Sequence, residues 1–244
     1  MNILQAKQIL IEQNEDPETI KQNDNLEEKD IEFIKQLCTK SQIITILGSR
    51  GEGKSALGFY LLEQLNGLTE RVLATVGFPK KTPFKNYDKI EDVPNGSIIL
   101  IDEGSMRYDA RRSLSKENIN MSNILKVARH NELSVILISQ NSADVEVRTL
   151  RMTDIFLLKA PSLVQTYLER SFIKRLYQHI SPIFQSEQDQ KPYYYVFSDK
   201  LQGLFKFELP SFWSEDISKA HRKEKSLIPN LFANIKRLGK NAKI

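Results

Sequence analysis

Eight residues, Gly48-Ser49-Arg50-Gly51-Glu52-Gly53-Lys54-Ser55, match G-x-x-x-x-G-K-[ST] at every fixed position. They stand between the β-branched run 42–47 (QIITIL) and the helix-forming stretch 55–65. A strand, a glycine-rich turn and a helix in this order constrain the chain more than any other feature. Glycines let backbone N–H groups curl around phosphate oxygens with no Cβ in the way, and the helix turns its positive end to the same anion. Lys54 is then placed to reach the β- and γ-phosphates, and the Ser55 hydroxyl to ligate Mg²⁺. The pattern predicts a Mg²⁺-nucleotide site, with ATP expected, built from Gly48, Ser49, Arg50, Gly51, Glu52, Gly53, Lys54 and Ser55.

Further strands are expected at 71–76, at 98–101 after the turn signal Pro94-Asn95-Gly96, at 134–139 and at 154–158. Helices are expected at 114–130 and roughly 161–179. Short apolar strands alternating with helices predict an α/β fold whose mainly parallel sheet is covered on both faces. Beyond Pro182 the stretch YYYVFSDKLQGLFKFELP reads as two strands around a turn, a hairpin for the sheet edge. The expected organisation is a helical N-terminal extension over 1–40, a nucleotide-binding domain over 41–213 and a basic helical tail over 214–244.

The segment SIILIDEG places Asp102 and Glu103 at the carboxyl end of a buried strand, where an open α/β sheet binds its ligands. Asp102 is expected to hold Mg²⁺, directly or through water. Glu103 can orient and deprotonate an attacking water, a task a simple nucleotide switch does not need. The strand at 134–139 ends next to Gln140, whose amide can bond the γ-phosphate or that water and so sense hydrolysis. Arg129, just before the same strand, is the preferred candidate for a cation acting on a neighbouring subunit's transition state. Arg111, Arg112, Arg148 and Arg151 compete for that role.

With 244 residues, 40% hydrophobic and 27% charged, the composition is that of an ordinary globular protein. No apolar run approaches the roughly 18 residues that cross a bilayer. Lys7 and Glu12 interrupt the stretch where a signal peptide would be apolar, so a cytoplasmic protein is expected. The single cysteine, Cys38, excludes internal disulfides and Cys-cluster metal sites. Charge is uneven: residues 1–40 carry nine acids against five Lys and Arg, whereas residues 219–244 carry eight Lys and Arg against one acid. A basic end of this kind is either a polyanion-binding feature or a solvated tail.

Together GSRGEGKS, IILIDEG and VARHNELSVILISQNSADVEV resemble the FtsK/HerA superfamily of DNA-pumping ATPases. The likeness is greatest to its zonula-occludens-toxin-like branch and to genome-packaging ATPases of double-jelly-roll viruses. The segment LRMTDIFLLKAPS, with Asp154 opening the strand after Gln140, also looks like this group. The resemblance spans about residues 42–180 and implies a sheet of order 5-1-4-3-2, a hexameric ring as the active form, and Arg129 as the residue reaching across subunits. It further implies double-stranded DNA as substrate, a capsid or portal-vertex protein as partner, and a place in the host cytoplasm or at the virion vertex. No membrane segment like those of filamentous-phage relatives is present in the sequence.

A motor that tracks phosphates needs Lys and Arg facing a channel. Arg107, Arg111, Arg112 and Lys116 are the candidates, with a solvated face as the alternative. Two other functions compete: an ATPase that drives filament morphogenesis or secretion by acting on protein, and a non-hydrolysing switch or scaffold, against which Glu103 speaks.

Overall fold

The computed structural model describes residues 35–78, 82–102, 121–139, 147–214 and 217. After a short helical segment at 35–39 come β1 (Ile43–Leu47), α1 (Lys54–Leu65), β2 (Leu73–Val76), β3 (Lys85–Tyr87) and β4 (Ile98–Asp102). They are followed by α2 (Met121–His130), β5 (Ser134–Ile138), α3 (Val147–Met152), β6 (Ile155–Leu158), α4 (Leu163–Leu168), α5 (Ser171–Gln185), β7 (Tyr193–Phe197) and β8 (Gln202–Lys206).

The strands form one sheet in the order β3-β2-β4-β5-β1-β6-β7-β8. Pairs from β3 through to β6 are parallel, and β6-β7 and β7-β8 are antiparallel. Counting only the five strands expected from sequence, the order is 5-1-4-3-2, as the resemblance implies. The hairpin joins the β6 edge. Strand β3 at the far edge was not expected.

Alternation along each strand divides the core into two faces. Ile44 and Ile46, Ile136 and Ile138, and Ile98 and Leu100 turn toward α1, meeting Leu57, Phe59, Leu61 and Leu62. Ile43, Val135, Leu137, Ile99 and Ile101 turn to the opposite face, where Ile124, Leu125 and Ala128 of α2 cover them. Further along that face, α5 presents Ile173, Leu176, Tyr177, Ile180 and Phe184 to Leu47, Phe156, Leu158 and Tyr195. Helix α1 lies unusually close to the sheet. A Cβ added at Gly58 would stand 2.6 Å from Leu100 Cδ1, so a side chain there would lever the helix off β4.

The single helix expected over 161–179 is two helices, α4 and α5, and the second runs to Gln185 with Pro182 inside it. Its buried stripe continues past the proline to Phe184, so packing outweighs the lost backbone bond. The Ser181 hydroxyl donates to the Tyr177 carbonyl beside it at 2.7 Å. Helix α3 was likewise not read from the sequence. Residues 1–34 of the extension expected over 1–40, and all but 214 and 217 of the tail expected over 214–244, lie outside the described residues. Among the described residues, no helix is long and apolar enough to cross a membrane.

Candidate nucleotide site

Register brings the candidate residues to one edge of the sheet. Ile46 pairs with Ile138, and Asp102 with the same Ile138, so the ends of β1, β4 and β5 lie side by side. The Ser139 N–H donates to the Ile46 carbonyl at 3.0 Å, and the Lys159 N–H to the Leu47 carbonyl at 2.8 Å. The chain leaving β1 enters the glycine-rich loop at this carboxyl edge, where open α/β sheets hold their ligands.

Gly48, Gly51 and Gly53 have φ values of 155°, 89° and 82°. Gly48 has a second constraint. A Cβ there would stand 2.6 Å from Lys159 Cβ, so both the backbone angle and the packing behind it require glycine. Gly53 occupies the cap position of α1, no side chain caps the helix, and its first turn holds no acid. Uncapped first-turn amides next to a glycine loop are the arrangement that receives a phosphate. Arg50 and Gly51 are exposed, whereas Ser49, Glu52, Gly53 and Ser55 are half-buried. Ser49 Oγ accepts from the Ser162 N–H at 3.3 Å, which ties the loop to the chain after β6.

Lys54 is 6% exposed, and its Nζ donates to the carbonyls of Gly48 (2.7 Å) and Ser49 (2.8 Å). Burial pushes its pKa down to about 8, against the opposing attraction of Asp102 first and Glu52 second. Loop carbonyls can be exchanged for phosphate oxygens, which are stronger partners for an ammonium. Asp102 is buried at the end of β4, within the electrostatic reach of Lys54.

For a divalent cation the donor set fits Mg²⁺, which takes one or two protein oxygens plus phosphates and water. The Ser55 hydroxyl and the Asp102 carboxylate are such oxygens at this edge. No cluster of three or more His, Cys, Asp or Glu side chains suited to a metal exists among the described residues. A site shared with phosphates does not need one.

Glu103, Gln140, Arg107, Arg111, Arg112 and Lys116 lie outside the described residues. Arg129 is exposed in the last turn of α2. The turn after it lies at the amino edge of the sheet, where the Asn131 carbonyl accepts from Gly96 and the Glu132 carbonyl from Arg71. Arg129 is therefore not brought to the loop of its own chain. Arg148 and Arg151 are exposed on α3. Asp154 also belongs to the amino edge, its Oδ2 accepting from the Ile43 N–H at 2.8 Å, and it fixes the start of β1.

One residue at the site was missed in the sequence. Lys159, directly after the apolar run IFLL of β6, is fully buried and backs onto Gly48. Its signal was a lone cation terminating a core strand that neighbours the loop strand.

This sheet order, with a glycine loop between β1 and α1 and a buried aspartate ending β4, defines a P-loop NTPase fold. Similar solved structures include the pCW3 conjugation coupling protein TcpA with ATPγS, at 11% identity and TM-score 0.51, covering 75% of this chain and 66% of that one. The genome packaging NTPase B204 from Sulfolobus turreted icosahedral virus 2, with ATPγS, has 15% identity and TM-score 0.47 over 69% of this chain and 98% of its own. The N-terminal domain of zonular occludens toxin from Neisseria meningitidis has 13% identity and TM-score 0.35 over 74% and 98%. No protein-family model and no curated protein sequence matches this chain.

Proposed function

We propose that this protein is an ATP-hydrolysing motor that translocates double-stranded DNA, with packaging of a viral genome as its task. The observation that carries the ATPase part is the convergence of Lys54, Asp102 and the uncapped start of α1 on one sheet edge. The DNA part rests on the three motifs that resemble DNA-pumping ATPases. It is supported by the fold shared with TcpA, a conjugation coupling protein, and agrees with a looser likeness to a genome packaging NTPase.

In this reading the loop amides and Lys54 bind the phosphates, and Ser55 and Asp102 hold Mg²⁺. When bound, that ion offsets charge on the β- and γ-phosphates. Glu103 takes the proton of the attacking water, and Gln140 orients that water or the γ-phosphate. Arg129, remote from its own loop, serves a neighbouring copy's site within a hexameric ring. Arg107, Arg111, Arg112 and Lys116 face DNA, and the tail over 214–244 contacts DNA or a capsid or portal-vertex protein.

ATP turnover of size-fractionated protein, measured with and without duplex DNA over a salt series, tests the proposal. Expected is turnover concentrated in the oligomeric fraction, stimulated by DNA and falling steeply with salt. Turnover indifferent to DNA would favour the morphogenesis or secretion ATPase acting on protein. Binding without turnover would favour the switch.

A further inference from the structure

Lys159 has surroundings that a core lysine rarely has. It is fully buried, yet no carboxylate pairs with it at contact distance among the described residues. Its Nζ donates to the backbone carbonyls of Lys191 and Tyr193, just before and at the start of β7, and lies 4.5 Å from the centroid of the Phe207 ring. Its stem fills the space where a Gly48 side chain would be, 2.6 Å from that Cβ position at Lys159 Cβ and 3.3 Å at Cγ. Phe207 is itself next to the other end of the loop, 3.6 Å from a Cβ position at Gly53. Its ring centroid lies 5.7 Å from that of Tyr60 on α1. One lysine and one aromatic ring thus brace both ends of the glycine loop from the side of the C-terminal hairpin.

Keeping a cation here is costly. Burial pushes the Lys159 pKa down to about 7 despite attraction from Glu52 and Asp189, and Lys54 adds to the fall. A methionine of the same length would fill the space without that cost but would leave the Lys191 and Tyr193 carbonyls without their donor. The ammonium thus meets the hairpin while its stem meets the glycine loop.

We infer that Lys159 is a positioning residue for the nucleotide site, holding the first turn of the glycine loop against the hairpin and placing its ammonium behind the phosphates. The inference rests on the nucleotide-binding reading above. A triphosphate arriving at the loop meets Lys54 directly and Lys159 through the loop, and its charge relieves the repulsion between the two ammonium groups. The role is in binding, so it falls on affinity rather than on the chemical step.

The test uses the full chain and ATPγS, with calorimetric affinity, KM and kcat for ATP, and thermal unfolding measured together. Lys159→Met is expected to fold with a Tm near that of wild type, the relieved desolvation offsetting the two lost hydrogen bonds. Its affinity for ATPγS should fall about tenfold and KM rise in parallel, with kcat within about twofold of wild type. Phe207→Leu removes the aromatic face but keeps the lysine, and should weaken affinity roughly threefold. If Lys159→Met fails to fold, Phe207→Leu decides the question. Wild-type affinity in a folded Lys159→Met, or in Phe207→Leu where only that variant folds, overturns the inference. So does a loss of kcat with KM unchanged. Wild-type protein that binds no ATPγS overturns the nucleotide reading itself, a result distinguishable from either.

Discussion

Both edges of the sheet are held by cations seated among backbone carbonyls, but the two edges use them differently. At the amino edge the Arg71 guanidinium donates to Lys40 (2.9 Å), Ser97 (3.2 Å), Glu132 (3.2 Å) and Gly96. It ties together the segments that enter β1, β4 and β5. A planar fork with donors fixed in direction suits a permanent joint. At the carboxyl edge the cation is Lys54, a point charge on a flexible stem with two loop carbonyls as partners. It can leave them for a stronger acceptor. The arginine end is built to stay closed, and the lysine end to exchange partners.

The largest effect that sharpens this contrast belongs to Lys54. Lys54→Met should lower turnover by about 10²–10³-fold, the usual loss when one preorganised donor to developing charge is removed. Its urea midpoint should be unchanged or higher, because a buried charge has gone. Turnover at the wild-type rate would break the comparison at once.

Arg71→Met should do the reverse. Losing several bonds from a charged, half-buried donor is expected to destabilise the fold by about 3 kcal/mol, while the folded fraction binds ATPγS with wild-type affinity. Equilibrium unfolding together with calorimetry measures both. An affinity loss without a stability loss would mean that the two edges are not separable.

Titration gives a smaller, pH-dependent effect. In the folded chain burial lowers the pKa values of Lys54 and Lys159 to about 8 and about 7, below the 10.5 usual for a lysine in an unfolded chain. Between those limits the unfolded state binds more protons, so stability rises with pH. Each lysine contributes at most about 1.4 kcal/mol per pH unit. Urea midpoints from pH 7 to 9 should climb in wild type and climb less in Lys159→Met. A flat wild-type profile would mean that neither lysine is held at a depressed pKa.

The smallest expected effect is at Asp154. Asp154→Ala removes the acceptor of the Ile43 N–H and should cost about 1 kcal/mol of stability with no change in KM. A change in KM would show that a contact at the amino edge is felt at the other.

How far the sequence revealed this arrangement depended on where the deciding contacts lie. The glycine loop was legible because its chemistry is local: Gly48 to Ser55 carry both the backbone angles and the lysine. The hairpin was legible from the aromatic-rich runs YYYVF and GLFKF on either side of a turn. Strand β3, with sequence KNY, offers no apolar alternation. Its place is set by Asn86, whose side chain accepts from Thr75 Oγ1 and Phe78 N and donates to the Phe78 carbonyl, contacts invisible to periodicity. Pro182 was read as a boundary because a proline usually is one, yet the apolar stripe ending at Phe184 kept the helix intact. Lys159 escaped notice for a similar reason. A strand-end lysine normally reaches solvent, and only the place of β6 between β1 and β7 shows that this one does not.

The chain after β8 turns back along α1. The Ser211 N–H donates to Glu63 Oε1 at 3.0 Å, and the Trp213 and Phe212 rings lie 6.1 and 5.7 Å from that of Phe59. Trp213 is the only tryptophan in the sequence. The protein thus carries its own optical reporter, seated on the helix whose first residue is Lys54, and a spectral shift on adding nucleotide would register displacement of that helix without any attached dye.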